Sequence, residues 1–101
     1  MSNTKSVVHV ETADVRVTEW LLPPGSSTTS LRGDCDVVIV PLTKGRIAIR
    51  SKGDRRTLSA DPGAAIFCSA PIEGSATNEG NSTLAFVEID LKDSVKRLIS
   101  A

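Results

Sequence analysis

Apolar and polar residues alternate at every second position in short stretches of this chain, and clusters of glycine and proline separate the stretches at fairly even spacing. That pattern predicts an all-β protein of antiparallel strands. From Asp14 to Leu22, Val15 and Val17 alternate with polar or charged neighbours, and the strand ends at Pro23-Pro24-Gly25, where neither proline offers an N–H to a ladder. Val37 to Val40 is apolar and β-branched at every position, which predicts a strand covered on both faces and closed by Pro41. After the turn Thr43-Lys44-Gly45, Ile47 and Ile49 alternate with Arg46 and Arg50, so one face of this strand is buried and the other solvated.

Lys52-Gly53-Asp54 leads into a short polar strand from Arg55 to Ala60, and Asp61-Pro62-Gly63 turns the chain into a small strand from Ala64 to Cys68. From Ala70-Pro71 through Gly80 the pattern is irregular. Leu84 to Lys92 is the longest strand: Ala85, Val87, Ile89 and Leu91 form one face, while Leu84, Phe86, Glu88 and Asp90 grade from apolar to charged on the other. This gradation predicts a strand that crosses the core and emerges at its far end. Val95, Leu98 and Ile99 fall at helical spacing behind an Asp93 or Ser94 cap, which predicts a short C-terminal helix.

At 101 residues the chain has the length of one domain, 1–101, with a core spanning about residues 15–92. Lysine and arginine number 12, as do aspartate and glutamate, so no global field attracts phosphate backbones or anionic headgroups. Neither nucleic acid nor a membrane surface is an expected partner. The first ten residues lack the apolar core of a signal peptide, and no apolar run nears the ~20 residues of a membrane span, so the expected location is the cytoplasm. Cys35 and Cys68 are too few for a disulfide scaffold and read as small buried hydrophobes.

The spacing of glycine, proline and asparagine resembles that of the cupins. Their first motif runs glycine, five residues, histidine, any residue, histidine, three or four residues, glutamate, six residues, glycine. Beginning at Gly25, these positions fall on Leu31, Gly33, Val38 (with the four-residue spacer) and Gly45. Their second motif runs glycine, five residues, proline, any residue, glycine, two residues, histidine, three residues, asparagine; from Gly63 it falls on Ser69, Pro71, Gly74 and Asn78. The resemblance covers about Val15 to Lys92 and implies a small antiparallel β-barrel, or jelly roll, that pairs as a homodimer. Strand exchange through Val7 to Val10 is one way to build such a pair.

In a metal cupin, the resemblance implies, three histidines and a carboxylate point inward to hold a divalent first-row ion. Leu31, Gly33, Val38 and Gly74 have no donor atom, and the single histidine, His9, lies outside both motifs. The expectation is therefore no metal and no other cofactor at the family site. A pocket lined by leucine, valine and glycine is either filled or open to a small, largely apolar ligand. Cys35, Asp34, Asp36, Cys68 and Glu73 are the polar groups that sequence places near it, and Arg32 and Glu88 are further charges. Two function classes follow, beside a purely structural reading in which the barrel is an assembly unit for another protein. One is a non-catalytic small-molecule binding or accessory module; the other is a metal-independent isomerase, epimerase or lyase that uses Asp34, Asp36 or Glu73 as acid and base. Trp20 is expected in the core or in a subunit interface.

Overall fold

The computed structural model describes residues 4–28, 34–51, 53–70 and 72–92, with the backbone alone at positions 51, 73 and 74. These residues form eight strands: β1 (Lys5–Glu11), β2 (Val15–Leu22), β3 (Asp36–Pro41), β4 (Gly45–Ser51), β5 (Asp54–Ala60), β6 (Ile66–Cys68), β7 (Ile72–Asn78) and β8 (Leu84–Leu91). They build a five-stranded sheet in the order β1-β2-β8-β3-β6 and a three-stranded sheet in the order β5-β4-β7, with every pairing antiparallel. No helix lies among the described residues, and residues 93–101, where the sequence predicts one, fall outside them.

Two-residue alternation decides which side chains enter the sandwich. Trp20 and Leu22 of β2, Val37 and Ile39 of β3, Ile47 and Ile49 of β4, and Leu84 and Phe86 of β8 are buried between the sheets with Cys68, Ile72 and Ala76. The large sheet is registered so that its inward residues form rows. Trp20 pairs with Phe86 and Phe86 with Pro41, while Thr18 pairs with Glu88 and Glu88 with Ile39.

Two expectations need correction. Residues 72–78 form a strand rather than an irregular segment; Ile72, Ala76 and Asn78 face inward, and pairing with β4 overrides the low strand propensity of glycine, serine and asparagine. Second, β8 does not emerge from the core at its charged end. Leu84, Phe86, Glu88 and Asp90 are all buried.

The residues kept at family spacing shape the backbone. Gly25 and Gly63 adopt φ of +79° and +81°, in the left-handed region that side chains with a Cβ rarely enter. Asn78, fully buried, donates through Nδ2 to the carbonyls of Leu22 and Ser82, both at 2.8 Å, and accepts the Gly80 N–H on Oδ1 at 2.8 Å. Its backbone also pairs with Gly25 and Ser26, so one side chain and one peptide unit tie both motifs together.

Candidate functional site

Sequence placed the chemistry at Leu31, Gly33, Val38 and Gly74, with Asp34, Asp36, Glu73, Cys35 and Cys68 around them. Leu31 and Gly33 lie outside the described residues. Val38 sits half-buried on the outer face of β3, opposite Phe67 and Ile89, and its neighbour Val37 takes the inward position. The three-residue spacer of the first motif, which lands on Val37, therefore matches the strand's alternation; the four-residue spacer does not. Glu73 and Gly74 belong to β7, with Glu73 in register with Arg50.

Of the remaining candidates, Asp34 is exposed and Asp36 is half-buried. Asp36 accepts the Ala70 N–H on Oδ1 at 2.8 Å, so it ties the start of β3 to the loop after β6. Cys35 and Cys68 are both buried thiols, and burial pushes the Cys68 thiol above its ordinary range against the opposing pull of the Arg56 guanidinium. His9 lies on the exposed edge, with Nε2 2.8 Å from Glu19 Oε1.

A different group of polar side chains enters the barrel along the β2–β8 seam. Arg16 is registered with Asp90 at the rim, where Arg16 Nε lies 3.7 Å from Glu11 Oε1, and Lys92 Nζ reaches Glu11 Oε2 at 2.5 Å. Further in, Asp90 and Glu88 are 2% and 3% exposed, Thr18 is buried beside them, and the Trp20 indole N–H donates to Glu88 Oε1 at 2.8 Å. Asp90 Oδ1 and Arg16 Nε are buried atoms without a hydrogen-bond partner among the described residues. Burial is the largest cause that pushes the Glu88 carboxyl up to about 8, helped by its hydrogen bond to Asp90 and by the Asp90 charge; Trp20 and Arg16 oppose the shift. At neutral pH Glu88 is therefore mostly protonated.

Sequence reasoning named Glu88 only as one charge among several and did not place Asp90 or Arg16 in a site. The signal was present in β8: once Leu84 and Phe86 are assigned to the core, two-residue alternation carries Glu88 and Asp90 in with them.

The donor set does not fit the family metal. The inward position on β3 is valine, and no three His, Cys, Asp or Glu side chains among the described residues are grouped to hold an ion. Glu88 and Asp90 lie together without an imidazole, and the one histidine points away from them on β1.

An eight-stranded antiparallel sandwich with this strand order is a double-stranded β-helix. The chain belongs to the cupin family. It is 35% identical over 85 residues to a Pseudomonas aeruginosa protein named beta-alanine degradation protein BauB, a match that covers 84% of this chain and 90% of that protein. Its fold superposes on the crystal structure of a cupin domain from Bordetella pertussis Tohama I with a TM-score of 0.73 and 29% identity, over 88% of this chain and 93% of that one. The cupin domain of Schizosaccharomyces pombe Cnp3 shares the fold at a TM-score of 0.71 and 10% identity, covering 99% of this chain and 72% of its own. No protein-family model matches the chain.

Proposed function

We propose that this cupin is a metal-independent small-molecule binding or accessory module that acts as a homodimer. One observation carries the reading. A single row of cross-strand partners on the outer face of the large sheet, Val10, Val17, Ile89, Val38 and Phe67, is apolar from edge to edge across all five strands. A strand with one solvated face alternates polar with apolar residues, whereas Val37 to Val40 is apolar toward both faces of the sheet. Val10 and Phe67, at the two ends of the row, are 42% and 53% exposed.

A second copy is the favoured occupant. Of the charged side chains on this face, Glu19 is engaged by His9 and Asp36 by the Ala70 N–H, and Lys5 lies at its corner opposite Leu21; the apolar row itself carries no charge and is complementary to itself. All seven residues of β1 are exposed although the strand is paired with β2, and Val7 and Val8 project from its opposite faces. Covering both faces of β1 is what a neighbouring copy achieves and a single chain does not.

Support for a role in small-molecule metabolism comes from the relative named for β-alanine degradation, and support for metal independence comes from Leu31, Gly33 and Gly74, with valine at the β3 position. Light scattering on the full chain during gel filtration tests the dimer, and calorimetric titration with β-alanine tests the ligand class. A dimer across micromolar concentrations is the expected result; a monomer throughout contradicts the reading.

A metal-independent isomerase, epimerase or lyase is the second reading, and the buried acids favour it. Its acid and base then become Glu88 and Asp90, in place of the exposed Asp34 and the backbone-bonded Asp36.

A further inference from the structure

We propose that Glu88, buried beside Asp90 between the sheets, keeps its proton at neutral pH, and that the fold weakens when this proton is lost. The proposal goes beyond the accessory-module reading and stands or falls independently of it.

Geometry sets up the pair. Glu88 and Asp90 are two residues apart on one strand, on the same face as the fully enclosed Phe86 and Leu84, so both carboxyls enter the interior side by side. Trp20 Nε1 donates to Glu88 Oε1, and the Asp90 carboxyl is the next one along the same buried face of the strand. Two ionised carboxylates are acceptors only, so a hydrogen bond between them requires a proton on one. Asp90 Oδ1 is buried without a hydrogen-bond partner among the described residues, so a proton on Glu88 spares the pair a second uncompensated charge.

Among the described residues, the surroundings offer little to offset a second negative charge. From β2, Arg16 flanks the pair and favours one charge on it, but its guanidinium is shared with Glu11 at the rim. From β3 and β6 come Val37, Ile39, Ile66 and Cys68, of which only the thiol can ionise, and burial holds its proton on; Cys35, ahead of β3, is likewise a buried thiol. The opposing sheet places Ile47, Ile49, Leu58, Ala60, Ile72 and Ala76 in the core, and the amide of Asn78 is committed to backbone groups. Like charges in such surroundings repel strongly, so Glu88 keeps its proton well above the usual carboxylate range.

The sign of the consequence follows from linkage. Between the ordinary glutamate value of 4.5 and about 8, the folded chain binds a proton that the unfolded chain has released, so stability falls as pH rises through this window and levels above it. Urea unfolding of the full chain at intervals from pH 5 to 9 reads this directly. The expected result is an unfolding equilibrium constant that rises by up to about tenfold per pH unit below pH 8 and then flattens. Glu88→Gln keeps an N–H donor toward Asp90 at every pH and should remove that slope; Asp90→Asn removes the like charge and should move the flattening to lower pH. Carbon-13 NMR of the unmodified protein, labelled at the glutamate side-chain carboxyl, is the safeguard if a variant does not fold, with one carboxyl expected to titrate near 8. A wild-type curve without the slope, a slope unchanged in Glu88→Gln, or glutamate carboxyls that all titrate below 6 overturns the proposal.

Discussion

The indole N–H of Trp20 meets Glu88 Oε1 at 2.8 Å diagonally across the β2–β8 seam, where Trp20 is in register with Phe86 and Glu88 with Thr18. The only tryptophan of the chain is thus both a core side chain and the fixed donor of a buried acid. Trp20→Phe keeps most of the apolar volume and removes the donor. Because that bond lowers the Glu88 pKa, its loss should raise it further and extend the alkaline fall in stability to higher pH. The variant should also lose about 1 to 3 kcal/mol at pH 6, measured by urea unfolding followed by circular dichroism.

Asn78 makes three side-chain hydrogen bonds in a fully buried position, and two of them hold backbone carbonyls of different loops. Asn78→Ala should cost about 3 kcal/mol or more, since at roughly 1 to 3 kcal/mol each the orphaned carbonyls and N–H sum to a large share of a small domain's stability. Asn78→Asp should be no better, because a carboxylate presents acceptors to two carbonyl oxygens. Thermal unfolding distinguishes these from an Asn81→Ala control on the exposed loop nearby, which should leave Tm nearly unchanged.

Val10 and Phe67 end the apolar row and are exposed in the single chain, so Val10→Glu with Phe67→Glu should change the stability of an isolated chain by little. In a dimer built on this row the same changes bury like charges against apolar surface. Sedimentation equilibrium should show dissociation weakened by no substitution elsewhere on the surface and strengthened at least a hundredfold by this pair, with an unchanged circular dichroism spectrum.

Restoring donors should restore a metal site if the motif placement is right. Leu31→His, Gly33→His and Gly74→His, combined with Val37→Glu at the inward position of β3, should create measurable nickel or manganese affinity by calorimetry. The same three histidines combined with Val38→Glu should bind more weakly, because position 38 faces out of the sandwich. A folded quadruple variant that binds neither ion places the site elsewhere.

How much was legible beforehand depends on what each residue has to satisfy. Strands β2, β4 and β8 were readable from alternation, as in Ile47 and Ile49 against Arg46 and Arg50, and β3 from its unbroken β-branched run Val37 to Val40, which gives no sign of which face is inward. Strand β7 was not, because Gly74, Ser75 and Asn78 carry little strand preference and the segment is held by its ladder to β4. The cupin frame was readable from Gly25, Gly63 and Asn78, whose positive φ and buried bonds explain why those residue types stand at those positions. The buried acids were not read as part of a site because charge was taken as a sign of solvent. Glu88 and Asp90 continue a buried face, and Trp20, distant in sequence, supplies the donor that makes the glutamate tolerable there. The one-residue choice between Val37 and Val38 rested on loop length, and the pleat of β3 decides it.

Native mass spectrometry of the full chain, purified without chelators, tests the central claim most directly because one spectrum reports subunit number and bound metal together. The account predicts a homodimer with no stoichiometric metal. A monomer, or a metal ion retained at one per chain, contradicts it.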